Sequence, residues 1–462
     1  MKSSHTPAAT FAAADDASVL GYGGLAAAVR LAERCDLPGQ VTAKVRLTGA
    51  GNGAGTAVDA KAMSLVAGMV AGADSIDDLD VLRHGAMQKA FAGVRAPSTL
   101  GAFLRAFTWG HVRQLQSATR AFTGNLVAHC NLLPGADRVV FLDIDSKVKQ
   151  VYGPAKQGAS FGYTKVRGLH FQIVTASTPI AAPVIVASRL RKGAAGSAKG
   201  AASLVTEAVN AVRAMGIRGQ IIVRADSAFC SHKVVAACHR AGVRFSFTIA
   251  QHKKVRETVA GIDPGAWTAI KYPNAVFDED EQRWVSDAEV AETSYTAFTG
   301  KRKEYHTTAR LLVRRVRRLN AAQVPDGQGE LFAAHRFHAV FTDSPLALLD
   351  AEADHRRHAI VEQVFADLED SALAHLPSGK FTANAAWLTL ATIAHNLTRA
   401  LGALASTFHA RARTGTIRRH LIAVPARLTL GGRTLTWHFP DRWPWWAALE
   451  NLWTATGHRL RT

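Results

Sequence analysis

The chain has 462 residues, with 55 Lys plus Arg against 36 Asp plus Glu, a formal net charge of +19 with 19 His uncounted. Apolar residues at 48% exclude a mainly disordered chain, and 37 Gly with 15 Pro are too few for a fibrous one. The charge sets up a positive field whose commonest cellular partner is nucleic acid, and the length allows roughly two to four domains. Met1 to Leu20 hold no continuous apolar stretch behind a basic start, and no run of about 18 apolar residues exists, so neither a signal peptide nor a membrane span is expected. Four cysteines are too sparse for a disulfide framework and fit a reducing cytoplasm.

Residues 1–135 read as mostly helical, with helical apolar spacing over Lys61–Ala73 and Leu79–Phe91. Pro97 and Ser98 stand where a helix start needs them, and Leu100, Phe103, Leu104 and Phe107 form one stripe behind them. Arg105, His111 and Arg113 lie off that stripe, where Arg105 and Arg113 could meet DNA. Residues 136–250 change grammar. Arg138–Asp145 is a short strand ending in acids, Val166–Ala176 a second and Ala182–Ala187 a third. A basic, small-residue loop, Arg189–Gly200, precedes a helix over Ala201–Met215. Gln220–Ala225 is a fourth strand closed by Asp226, Ser231 starts a helix, and Val243–Ile249 is a fifth strand. Strand, strand, strand, helix, strand, helix, strand is the order of a ribonuclease H-like α/β core. Residues 251–345 read as a mainly β insertion, with strands at Ala309–Val316 and His335–Thr342 around a turn at Pro325–Gly327. Helices resume over 346–410, at Asp354–Glu369 and Thr382–Leu404. The tail, 411–462, is basic and holds five of the nine tryptophans.

Three acids stand where two-metal phosphoryl transfer needs them: Asp145, Asp226 and Glu362. Their oxygens suit Mg²⁺, with Mn²⁺ as the alternative. Two ions about 4 Å apart would activate the attacking hydroxyl and stabilise the leaving oxygen. Asp143 points to the same strand face as Asp145 and competes with it; Asp145 is nearer the strand end. His355, His358, Glu362 and Glu369 fall near one helical stripe beside Val361, Val364, Phe365 and Leu368. Arg191, Lys192 and Lys199 of the basic loop could meet phosphate, as could Arg314 in the basic run from Lys301 to Arg318. Cys230, His232, Cys238 and His239 match no common zinc spacing. Trp284 could stack on an unpaired base or fill a core.

Phe141–Ser146, Gly162–Lys165, Arg191–Gly200, Val223–Phe229, Ala359–Leu368 and Ala394–Leu397 together resemble the DDE-type insertion-sequence transposases, nearest to the group numbered 1380 in the insertion-sequence-four clan. The resemblance covers nearly the whole chain. It implies a ribonuclease H-like core with a β insertion before the Glu, and Mg²⁺-dependent cutting and joining of double-stranded DNA at transposon ends and targets. It also implies at least a homodimer. The family's acids fall on Asp145, Asp226 and Glu362. Its Tyr and Arg positions are His355 and His358 here, and its Lys position is Glu369, which would repel phosphate. The rival expectations are a DNA-binding derivative without cleavage and a structure-specific nuclease of the same fold.

Overall fold

The computed structural model describes residues 10–48, 51, 53–270, 277–278, 283–284, 288–317 and 335–460. The N-terminal third is built on α1 (Leu25–Arg34), α2 (Leu37–Lys44), α3 (Val58–Ala71), α4 (Pro97–Arg105) and α5 (Trp109–Cys130). Pro97 opens α4, where a missing N–H costs nothing. The stripe Leu100, Phe103, Leu104 and Phe107 is fully buried. Thr108 caps α5 in a reciprocal exchange with His111. The helix expected over Leu79–Phe91 is two short turns instead, Asp77–Leu82 and Met87–Ala90. Between them Gly85 takes a φ of +54°, and a Cβ there would lie 2.3 Å from the Val19 carbonyl oxygen. That close approach of two backbones breaks the helix.

The strands β1 (Val139–Gln150), β2 (Arg167–Ser177) and β3 (Val184–Lys192) form an antiparallel meander. A crossover through α6 (Ala201–Ala214) leads to β4 (Gln220–Ala225), parallel to β1, and α7 (His232–Arg240) leads to β5 (Arg244–Thr248), parallel to β4. Their order across the sheet is β3-β2-β1-β4-β5, in a mixed α/β arrangement consistent with a ribonuclease H-like fold. The β-rich segment opens with α8 (Lys253–Ala260) and then adds β6 (Ala288–Ala297), β7 (Thr307–Arg317) and β8 (His335–Thr342) to the same sheet. The link is β8 against β5, where Phe341 pairs with Phe247 and both are fully buried. The turn expected at Pro325–Gly327 and the side chain of Trp284 lie outside the described residues.

Two boundaries differ from the sequence expectation. β1 runs five residues past Asp145, to Gln150, and β3 runs to Lys192, so Arg191 and Lys192 belong to a strand rather than a loop. The expected helix over Asp354–Glu369 is broken into α9 (Leu348–Arg356), a turn at Arg357–Ala359, and α10 (Ile360–Glu369). The break falls where the Arg224 guanidinium donates to the Asp354 carbonyl oxygen. Behind the sheet, α11 (Phe381–Ala405) is buried on most of its surface. Its Asn396 accepts from the Ile185 N–H and donates to the Ile185 C=O, both at 2.8 Å, at an irregularity in the β2–β3 pairing. The tail closes back on the N-terminal region. Val19–Leu20 pairs with the strand Ala426–Gly431, and Trp437 meets Phe91 and also Trp453 of α12 (Trp446–Ala455).

One ion pair joins β1 to β4 inside this fold. Asp143 and Arg224 sit in register and are almost wholly buried. The guanidinium grips the carboxylate with two bonds, Nε to Oδ1 at 2.7 Å and a terminal nitrogen to Oδ2 at 2.8 Å, and lies 3.9 Å from the Phe141 ring centre. Asp143→Ala strands a buried charge and is expected to cost about 3–5 kcal/mol in chemical denaturation. Adding Arg224→Met removes the stranded charge, so the double variant is expected to be more stable than Asp143→Ala alone. A double variant no better than the single would mean that the pair is not the source of the loss.

Candidate active site

Parallel pairing of β1 with β4 ends at Asp143 and Arg224. Two residues further along each chain come Asp145 and Asp226, on the face that carries Asp143 and Arg224. Asp145 is therefore not at the end of its strand, since it still pairs with Ile173 of β2; it stands where β1 loses its β4 neighbour. Asp226 opens the turn after β4, and its carboxylate accepts the Ala228 N–H at 2.9 Å. Glu362 lies in the first turn of α10 and is exposed. The buried side chains Val361, Val364, Phe365 and Leu368 seat that helix on the sheet, with Phe365 packed on Phe171 of β2 at 5.5 Å between ring centres.

Asp145 feels the other two carboxylates. Burial pushes the Asp145 carboxyl up to about 7, and the charges of Asp226 and Glu362 add to that rise. The Ser146 N–H, which donates to Asp145 at 2.6 Å, and the Lys147 ammonium oppose it. Burial also raises Asp226 above the usual carboxylate range. The Asp143 oxygens are both engaged by Arg224, so Asp145 is the uncommitted acid of the two. His358 sits among Asp143, Asp226 and Glu362; burial lowers its pKa and those charges raise it, and its Nδ1 is buried with no hydrogen-bond partner. A cluster of hard oxygen donors with excess negative charge in a low-dielectric setting fits a divalent cation. Among the described residues no group of three or more His, Cys, Asp or Glu side chains is placed to hold a metal ion.

A family model described as Transposase DDE domain group 1 matches residues 22–458. The chain belongs to this family. No curated protein matches it. Among the described residues of this transposase no helix is long and apolar enough to cross a membrane.

The basic side chains expected to meet DNA fall into two groups. Lys192, Lys199 and Arg105 are exposed. The others are occupied. Arg191 is buried and donates to the carbonyl oxygens of Gly196, Ser197 and Lys199, so it shapes the basic loop from below. Gln172 donates to the Ser197 carbonyl at 2.6 Å, and the Ser197 and Ser146 hydroxyls lie 3.1 Å apart. That places the loop beside Asp145 in sequence but on the other side of the sheet, since Ser146 faces away from Asp145. Arg113 is held by Glu207 at 2.9 Å, and Arg314 pairs with Glu352 at 3.5 Å. His355 is buried with both ring nitrogens 3.0 Å from hydroxyls, Ser246 and Thr248 of β5. Burial lowers its pKa to about 3, so it is neutral and turned away from solvent rather than a cation for phosphate. Cys238 is buried within α7 and Cys230 precedes that helix, where burial pushes its thiol up to about 12.

Glu369 departs most from expectation. Instead of standing bare, it takes Lys147 at 2.6 Å and Lys149 at 3.8 Å, both from β1. Sequence reasoning missed these partners and missed Arg224. The alternation Asp145, Lys147, Lys149 was the available signal, because every second strand residue shares a face.

The raised Asp145 pKa has a consequence for stability. The protonated form is favoured in the fold, so the carboxylate costs nothing below the ordinary Asp range, costs progressively more as pH rises toward 7, and costs most above it. In metal-free buffer, Asp145→Asn is expected to stabilise the protein by roughly 2 kcal/mol at pH 8 and by little at pH 4. Denaturant midpoints at the two pH values check this, and equal shifts at both would refute the buried-charge account.

Proposed function

We propose that this transposase binds the terminal inverted repeats of its own element and cuts and rejoins the DNA by successive in-line displacements at phosphorus. The observation that carries the reading is the convergence of the Asp226 and Glu362 charges on the half-buried Asp145, at the end of the β1–β4 pairing. In this reading the β1–β5 sheet is a ribonuclease H-like core, β6–β8 belong to an insertion before Glu362, and the helices before residue 135 recognise the ends. The motif resemblance to the group numbered 1380 supports the same assignment. Two ends cut together call for at least a homodimer on the DNA.

Asp145, Asp226 and Glu362 would hold Mg²⁺ or Mn²⁺, two ions per site, which when bound would supply positive charge to the attacking and leaving oxygens. Water attacks phosphorus, the bond to the 3′ oxygen breaks, and a 3′-hydroxyl and a 5′-phosphate result. That 3′-hydroxyl next attacks phosphorus in the opposite strand or the target, forms a new phosphodiester and expels a second 3′ oxygen. The residues hold one geometry through both steps, because the reacting centre is the same. Arg224 keeps Asp143 out of the chemistry, and the Ser146 N–H orients Asp145. That no group of three or more ligand side chains among the described residues is placed to hold a metal favours one second reading, a derivative that binds DNA without cutting it.

Asp145→Ala is expected to abolish Mg²⁺-dependent nicking of a duplex carrying the element's end while changing its affinity little. A wild-type protein that binds the end and never cuts it rejects the enzyme reading. Millimolar Mg²⁺ is expected to raise the wild-type denaturation midpoint at pH 8 and to leave that of Asp145→Ala unmoved, which tests the metal site without reference to activity.

A further inference from the structure

The odd-numbered residues of β1 share one face, so Asp145, Lys147 and Lys149 form a row leading away from the carboxylates. The two lysines share a single carboxylate, Glu369, which leaves one positive charge in excess. Their side chains are 44% and 20% exposed, and pairs of that kind contribute at most about 1 kcal/mol. A stronger anion can displace Glu369 from them.

The row runs into a groove of about 830 Å³. One wall is α4, with Ser98 and Arg105; the other is the segment after α10, from Ala374 to Pro377; the floor is the end of β1 at Lys149 and Gln150. Arg105, Lys149 and Lys156 line it, Lys156 donating to the Leu376 carbonyl oxygen of the wall at 2.5 Å, and the single acid among the lining residues is Asp77. The neighbouring Asp74 already pairs with His375 at 2.9 Å. Tyr152, 78% exposed, stands at the groove and offers a flat ring beside the cations. A concave, cationic groove that starts at Lys149, four residues along β1 from Asp145, fits a polyanionic strand that passes from the carboxylates over Lys147 into it.

Building on the proposed DNA cutting, we propose that this groove is the track for the DNA strand flanking the cut, and that Lys147 and Lys149 exchange Glu369 for backbone phosphates when the strand lies in it. Glu369 then acts as a positioning residue: it holds the two ammoniums over the row in the free protein and yields them to DNA. It stands in for no missing cation on α10. Glu369→Lys would place a third ammonium against two others instead of restoring a phosphate partner.

The test is lysine footprinting on the wild-type protein, with an amine-reactive acetylating reagent and mass spectrometry, with and without end duplex. Lys147, Lys149 and Lys156 are expected to be protected by DNA, and Lys253, 87% exposed on α8, is not. In binding titrations, Lys149→Ala with Lys156→Ala is expected to reduce the slope of log affinity against log salt by about 0.9 for each phosphate no longer neutralised. Glu369→Gln is expected to tighten binding at low salt. Full reactivity of the three lysines in a complex that cuts its DNA overturns the groove and leaves the function intact. A protein that neither binds nor cuts the duplex overturns both.

Discussion

The buried Asp143–Arg224 pair is the constraint on which the rest of the site depends. It locks β1 and β4 in parallel register from inside the sheet, so the residues two steps beyond, Asp145 and Asp226, are delivered together. It occupies both oxygens of Asp143, whereas the Asp145 carboxylate takes the Ser146 N–H on one oxygen, Oδ1. The same guanidinium reaches the Asp354 carbonyl at the end of α9, where the helical segment breaks, and α10 carries Glu362 to the sheet from there. A buried pair of this kind gains little over packed apolar side chains in net stability, but removing one partner is costly. Its value here is specificity: a shift of β4 by one residue would unpair both charges.

Much of this was legible in the sequence. Strand order and the helix stripe at Leu100–Phe107 rest on local periodicity and survive in the fold, and the charges of Asp226 and Glu362 reach Asp145 although β1 runs on past that residue. What failed has one physical origin. Arg224 reads as a polar interruption in an apolar strand until Asp143, 81 residues away, supplies its partner. Glu369 reads as a misplaced charge until β1, 222 residues earlier, brings two lysines to it. Arg191 reads as a loop cation until its strand extends and turns it beneath the loop. The His355–Glu369 stripe assumes an unbroken helix, which Arg357–Ala359 interrupts. Local spacing fixes the face of an element, and only long-range pairing decides which charges on that face are already taken.

The same distinction reinterprets the net charge. The basic run on β7 reads as a phosphate surface, yet Arg315 meets Glu289 directly across the ladder and Arg310 meets Glu292, both pairs bonded at 2.5–2.7 Å. Arg113 and Arg189 converge on Glu207. These cations stitch elements together, and a polyanion would have to break structure to use them. Among the cations that can act on a partner are the exposed Lys192 and Lys199 of the loop segment and those lining the groove beyond Lys149, where Asp77 is the single acid.

The carboxylates and the lysine row are two halves of one electrostatic arrangement. Burial of Asp145, with the charges of Asp226 and Glu362 added, disfavours its carboxylate in the free protein, and a cation would relieve it. Lys147 already relieves part of that charge from two residues away, while its own head group is held by Glu369. Drawing Lys147 toward a phosphate would leave the carboxylates less compensated by lysine and more receptive to divalent ions. Strand entry and metal loading would then favour each other by simple Coulomb balance, since the strand brings the anion that takes the lysine and the site keeps the acids that take the metal. On the proposed function, a site so coupled would take up metal more weakly when empty of DNA than with a strand in place, which would favour cutting at that moment.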